Sequence, residues 1–219
     1  MVHAAGHAAK SLDKELGALI SGIREMGGKV EQQLEIARKA LIAPAPAQME
    51  QAKALDKEIN ALEEKIDSET MILLSRHHPM MAELRFVTFS VKLVMLLERT
   101  GDLAKNTVRR LSKMGAPVES GMRADLDSMA LVAIEMLARN LHMLEEFSAE
   151  DARALVKKDD MIDGLYKKLK KEIRGGSAEL AVLNHLQMIA QNLERIADNA
   201  TDMSRILYFI HTGDRLAKA

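Results

Sequence analysis

Two stretches decide how this chain is read: Leu97-Glu98-Arg99-Thr100-Gly101-Asp102-Leu103-Ala104-Lys105-Asn106, and Leu193-Glu194-Arg195-Ile196-Ala197-Asp198-Asn199-Ala200-Thr201-Asp202. Both fit the pattern E-R-x-[GA]-D-x-x-x-[ND]. Each continues a line of apolar residues at three- and four-residue steps, Val87, Val91 and Val94 in the first case and Leu183, Leu186 and Ala190 in the second. Such steps share one face of a helix, so each stretch reads as a helix with an acid or amide at every fourth position, at the edge of its apolar side. A second pair of motifs recurs upstream. Asp56-Lys57-Glu58-Ile59-Asn60-Ala61-Leu62 and Asp159-Asp160-Met161-Ile162-Asp163-Gly164-Leu165 both fit D-x-x-I-[ND]-x-L. Two motifs repeating in the same order point to a duplicated unit.

Composition agrees. Ala, Leu, Glu, Lys and Arg make up about half of the 219 residues, the level that signals long helices when a helical period accompanies it. Aromatics are 3%, with no Trp, which disfavours a sandwich or barrel. The few prolines and glycines punctuate a helical pattern. Cutting at Pro44, Pro46, Pro79, Gly115, Pro117, Ser148 and the Gly175-Gly176-Ser177 triplet leaves six helical segments, at about 8–43, 48–76, 80–113, 118–147, 149–174 and 177–211. Ser148, with Asp151 three residues on, reads as a helix N-cap, and so does Ser177. The expected fold is all-α: two tandem, duplicated three-helix bundles, residues 1–115 and 116–219. Each triplet should run long, shorter, long, and rods of about 45 Å should give an elongated molecule.

Several function classes drop out. With no cysteine there is no disulfide, thiolate chemistry or Cys-held zinc or iron–sulfur centre. With 31 basic against 32 acidic residues there is no global electrostatic case for nucleic acid. Residues 1–10 hold no apolar run suited to a secretory leader, and the longest apolar stretch, Phe86 to Leu97, is broken by Lys92. The expectation is a soluble, cytoplasmic protein that reaches a membrane only through partners. No P-loop, dinucleotide fingerprint, nucleophile elbow or H-E-x-x-H motif is present, and no Glu has His three residues later, so a di-iron carboxylate enzyme fails at the residue level. His77 and His78 fall in a turn and read as solvent-exposed. The 15 methionines read as core filler.

The acids remain. Glu98, Asp102 and Asn106 form one stripe and Glu194, Asp198 and Asp202 another. Asp56 with Asn60, and Asp159 with Asp163, add a pair from the preceding helix of each unit. Like charges four apart repel, so these lines call for compensation. Arg99 and Arg195 could supply it, although they point about 100° away. Solvent could supply it, or a hard cation could, since carboxylates and amide oxygens suit Mg²⁺, Mn²⁺, Ca²⁺ or iron. Gly101, Ala104, Ala197 and Ala200 beside the acids allow close helix approach.

The ordered set of motifs resembles the PhoU family of phosphate-uptake regulators. The resemblance runs from His7-Ala-Ala-Lys-Ser-Leu-Asp-Lys-Glu-Leu16 and Met26-Gly27-Gly28, through Asp56-x-x-Ile59-Asn60-x-Leu62-Glu63, Pro79-x-x-x-Glu83-Leu84-Arg85 and the two E-R-x-[GA]-D stretches, to Ile206-Leu207-Tyr208-Phe209-Ile210-His211-Thr212-Gly213. It implies a non-enzymatic negative regulator of the phosphate-starvation response that couples the Pst phosphate ABC transporter, through its ATPase, to the sensor histidine kinase PhoR. A homodimer is expected. It also implies metal sites, filled by iron, Mn²⁺, Mg²⁺ or Zn²⁺, at Asp56, Asn60, Glu98, Asp102 and Asn106 and at Asp159, Asp163, Glu194, Asp198 and Asp202. Asn60 and Asn106 leave the first site less anionic, so the second should bind cations more tightly. The competing readings are a PhoU-like accessory protein of another transporter, or a metal-buffering protein.

Overall fold

The computed structural model describes residues 2–114, 118–176 and 178–216. It contains six α-helices: α1 (Val2–Ile42), α2 (Pro46–His77), α3 (Met81–Met114), α4 (Ser120–Met143), α5 (Ala149–Gly175) and α6 (Leu180–Thr212). The expected boundary between residues 115 and 116 lies outside the described residues, as does the Ser177 cap.

The breaks fall where local chemistry puts them. Pro46 opens α2, where a missing N–H costs nothing, and the Gln48 Oε1 accepts from the Ala45 N–H at 2.8 Å. His78 closes the helix in the left-handed region at φ 46°, and Pro79 forbids continuation. Ser148 caps α5 as expected, its Oγ accepting from the Asp151 N–H at 3.1 Å. Gly213 ends α6 at φ 80°, a conformation glycine adopts without strain, and its N–H reaches the Phe209 carbonyl at 2.9 Å. Arg85, from the start of α3, donates to the Ile210 carbonyl at 3.0 Å and so satisfies another free acceptor at that end.

Four local expectations need correction. The fourth helix stops at Met143 rather than at 147, so α4 is the shortest of the six and the second triplet does not run long, shorter, long. The chain leaves the helix early to bring Phe147 onto α6, where it stacks flat on His211 at 4.2 Å and meets Tyr208 edge-on. The sixth helix begins at Leu180, with Glu179 at the cap position. Val91 is not on the apolar face: it is 41% exposed, and the buried seam of α3 runs through Val87, Ser90, Val94, Leu97, Gly101, Ala104 and Val108. His77 is not solvent-exposed either. Its side chain is only 12% exposed and lies 3.2 Å from Glu15 of α1.

Helices α1, α2 and α3 pack on one another, as do α4, α5 and α6. Between the triplets, α3 lies on α6 and α1 on α4, while α2 and α5 touch only helices of their own triplet. One buried apolar cluster draws residues from all six helices, including Ile23, Ile59, Leu97, Met136, Leu169 and Leu193. The α3–α6 contact is antiparallel and carries buried polar ties. Asn199 donates to Thr100 at 3.1 Å, and Asn192 donates to Thr107 at 3.2 Å. Both pairs are seven residues apart on their helices, about two turns, so the two ties share one seam. A second buried network, Ser204 to Asn140 and Asn140 to the Ala200 carbonyl, binds α4 to α6. Among the described residues no helix is long and apolar enough to cross a membrane.

Close approach of α1 and α4 depends on Gly27. A Cβ there would sit 2.3 Å from the Leu141 Cδ2 and 2.6 Å from Cδ1. Arg38–Asp127 (2.7 Å) and Arg24–Glu145 flank this contact. Gly28, by contrast, faces open space. Gly27→Ala should therefore destabilise the fold by about 1–3 kcal/mol through overpacking. Gly28→Ala should be neutral or stabilising by up to about 1 kcal/mol from helix propensity alone. Urea midpoints check this, and a Gly27→Ala midpoint equal to or above that of Gly28→Ala would contradict the packing.

Candidate acidic functional site

The α3–α6 crossing decides where the acids go. Because the helices run antiparallel with Thr100 opposite Asn199, the two E-R-x-[GA]-D motifs meet back to back near the middle of the seam. Their acids emerge on one face of the molecule. Asp102 and Asn106 of α3 and Asp198 and Asp202 of α6 line a single open cleft of about 430 Å³, together with Arg99 and Arg195. Glu98 and Glu194 lie one turn before their aspartates, half-buried, toward α2 and α5 respectively. Gly101 explains how α3 comes so close to its own triplet: a Cβ there would lie 2.9 Å from Gln33 of α1 and 3.2 Å from Ile59 of α2.

The first cluster joins Asp56 of α2 to Glu98 and Asp102 of α3, and its compensating cation comes from the protein. The Lys105 ammonium donates to Asp56 at 2.6 Å and to Asp102 at 2.7 Å. Burial works against the charge on Lys105, but the bonds to Asp102 and Asp56 outweigh it and hold its pKa above the ordinary lysine value. Glu98 is held above the usual carboxylate value, first by burial and then by the neighbouring Asp102, Glu63 and Asp56, with Lys105 partly offsetting them. Glu63 is raised in the same way, by burial and by Asp67 and other acids nearby. Of the remaining expected members, Asn106 faces the cleft and Asn60 is exposed on α2.

The second cluster joins Asp159 and Asp163 of α5 to Glu194 and Asp198 of α6. Glu194 is raised by burial, then by Asp198 and Asp163. Asp198 is raised by burial, then by Asp159, Asp163 and Asp202. It sits at the rim with one side in solvent, which damps the effect without reversing it. Asp159 is raised by burial and by Asp163. Arg195 eases Glu194 and Asp198 only through space. Arg205 is bonded to Asp202 at 2.8 Å, and Lys167 lies 3.8 Å from Asp163. In the duplicated register Thr201 holds the place of Lys105. Its fully buried hydroxyl lies near Asp159 and eases it, without closing a well-formed hydrogen bond. The second cluster therefore has no cation bonded between its carboxylates.

A hard cation suits these donors unequally. Among the described residues no three acid or histidine side chains converge as a ready-made cage. The second cluster offers four mutually repelling carboxylates, eased by Arg195 and Arg205 only in part. In the first cluster, Lys105 already occupies the position between Asp56 and Asp102. The donor set thus fits an oxygen-ligated ion at the second cluster and fits poorly at the first. Three members were missed in the sequence: Lys105, Glu63 and Thr201. Lys105 stands in the first motif, three residues after Asp102, and Glu63 falls two turns after Asp56. Both were therefore on the right faces, but the helix pairing that makes them neighbours was not visible.

The PhoU domain family model matches the chain twice, at residues 23–111 and 126–207. Curated relatives include the phosphate-specific transport system accessory protein PhoU homolog of Rhizobium meliloti, 30% identical over 97% of this chain and 91% of its own. That of Zymomonas mobilis is 34% identical over 96% and 91%. The crystal structure of PhoU from Pseudomonas aeruginosa superposes with a TM-score of 0.87 at 26% identity, covering 92% of this chain and 99% of that one. The phosphate transport system regulatory protein PhoU from Streptococcus pneumoniae gives 0.85 at 26% identity, over 94% and 99%. With both repeats matched, relatives aligned over almost its whole length and the six-helix architecture in common, the chain belongs to the PhoU family.

Proposed function

We propose that this chain is an accessory protein of a phosphate-specific transport system and acts without catalysis, as a negative regulator coupling the Pst transporter to the sensor kinase PhoR. The observation that carries this reading is the near full-length match to relatives named as phosphate-specific transport accessory proteins. The physical requirement on such a regulator is modest. Its affinity for a partner must differ between the partner's signalling states, because only differential binding shifts an equilibrium. A rigid helical body with large lateral faces suits that task, in the cytoplasm and as a homodimer. Deletion of the gene in the source organism should leave phosphate-scavenging genes expressed in phosphate-replete medium. Normal repression in the deletion strain would overturn the reading.

The acidic clusters belong to the same proposal as cation sites of unequal strength, with Asp159, Asp163, Glu194 and Asp198 holding the ion and Asp202 at its edge. A bound divalent ion would supply charge neutralisation. The chain's own residues supply oxygen donors and, through Thr201 and Arg195, partial relief when the ion is absent. Mn²⁺ titrated into the metal-free protein should bind at least about tenfold more weakly, a loss of about 1.4 kcal/mol, in Glu194→Gln/Asp198→Asn. The loss in Asp56→Asn/Asp102→Asn should be much smaller. Equal losses from the two double variants would contradict the ordering.

The raised carboxyls also set a pH dependence. At neutral pH Glu98, Asp159, Glu194 and Asp198 are charged in the folded state at a cost the unfolded chain does not bear. The cost is present above their raised folded values, and it is relieved as pH falls through those values toward the ordinary carboxylate range, where the folded state binds the proton first. In chelator, Asp198→Asn should raise the urea midpoint at about pH 7 and shrink the gain seen on moving to about pH 5. A lower midpoint at pH 7 would refute this.

A further inference from the structure

Toward the end of the seam where α3 begins and α6 finishes, the two helices line an open groove of about 500 Å³. Its floor is apolar: Phe89 and Phe209 meet across the seam with ring centroids 5.0 Å apart. Its rim is basic. Lys92, Arg99, Arg205 and Arg215 line the groove against a single acid, Asp202, which Arg205 pairs at 2.8 Å; among the described residues Lys92, Arg99 and Arg215 enter no ion pair. Lys92 lies over the Phe89 ring at 4.7 Å, a contact that leaves its ammonium free to bind an anion as well. The apolar surface continues out of the groove along α3 through Met95, Val91 and Leu84, each more than two-fifths exposed. Those positions follow helical spacing on one side of α3, which is why Val91 departs from the buried seam. Exposed apolar side chains aligned on one helix face and leading into an apolar groove mark an interaction surface rather than scatter, and Met95 where they enter the groove adapts to varied shapes.

We propose that this groove receives an acidic amphipathic helix of a partner protein, laying apolar side chains on Phe89, Met95 and Phe209 and carboxylates against Lys92, Arg99 and Arg215. The inference deepens the regulator reading by placing one of its partner surfaces. Charge selects this occupant. A basic rim around an apolar floor is complementary to an apolar stripe flanked by acids, the groove-binding mode in which anchors recur every three or four residues. A second copy of the chain docking through the same patch by two-fold symmetry would bring Lys92, Arg99 and Arg215 against their own duplicates, which costs affinity. A flat bilayer surface does not follow a concave floor set between two helices.

The test uses the full chain and two synthetic helical peptides of about eighteen residues with one Leu/Phe stripe, one flanked by Glu and the other by Lys. Fluorescence anisotropy at about 0.1 M salt should show saturable binding of the Glu peptide, weakening as salt is raised. Binding of the Lys peptide should be at least about tenfold weaker, a gap of about 1.4 kcal/mol. Lys92→Glu/Arg215→Glu should lose binding of the Glu peptide by a similar factor while keeping the wild-type circular dichroism and urea midpoint. Absence of saturable binding, equal binding of both peptides, or unchanged binding by the double variant would overturn the proposal. So would saturation of the same residues by phosphatidylglycerol vesicles in place of the peptide, or a concentration-dependent doubling of mass abolished by the double variant. These readouts are made in vitro, so their failure leaves the deletion phenotype, and with it the regulator reading, standing or falling separately.

Discussion

The antiparallel packing of α3 on α6 is the constraint on which the rest of the structure depends. It joins the two triplets, it runs through the middle of the shared core, and it is keyed by two buried amide-to-hydroxyl bonds, Asn199 to Thr100 and Asn192 to Thr107. Each bond contributes only about 1 kcal/mol net, but sliding the helices would leave its buried groups unpaired at about 1–3 kcal/mol each. Apolar side chains alone tolerate several registers. Two polar ties seven residues apart favour one. The Arg85 bond to the end of α6 and the Phe89–Phe209 contact agree with that register from further along the seam.

Everything functional follows from where that register leaves the side chains. The motif acids share helices with the seam residues, a fraction of a turn away, so locking the seam delivers both acidic motifs to one face and sets Asp102 and Asp198 in the same cleft. Besides the amides Asn60 and Asn106, which stand where the second unit has Asp163 and Asp202, one pair of corresponding positions breaks the duplication. Lys105 places a cation between Asp56 and Asp102, while Thr201 gives the other cluster a hydroxyl. Two clusters of common ancestry thus differ in kind, one bridged by a lysine and the other without a cation bonded between its carboxylates, where burial first and like-charge repulsion second raise Asp159, Glu194 and Asp198. The same seam, between the Phe89–Phe209 contact and Arg99 with Asp202, carries the basic-rimmed groove.

Most of the fold was legible in the sequence because its signals are local. Proline positions, the Ser148 cap and the helical period each concern a few neighbouring residues, and the repeated motifs exposed the two triplets without any knowledge of contacts. The resemblance to the PhoU family rested on the same motifs in order. What was not legible depends on tertiary partners. Helix α4 ends early because Phe147 has His211 and Tyr208 to pack on, His77 is sheltered by Glu15 from another helix, and Val91 turns outward because the seam takes α3 through Ser90 and Val94. The site followed the same rule. Steps of four correctly grouped Glu98 with Asp102 and Glu194 with Asp198, but Lys105 is paired across α2 and α3, which spacing along one helix does not report. Asn60, placed with Asp56 by spacing, is exposed on α2.

The account rests most on the claim that Lys105 makes the two clusters unlike, and removing its charge tests that directly. In Lys105→Met, Mn²⁺ titrated into the metal-free protein and followed by calorimetry should show a second binding phase absent from the wild type, abolished again by adding Asp102→Asn. An unchanged binding isotherm in Lys105→Met, or two equal phases already present in the wild type, would contradict it.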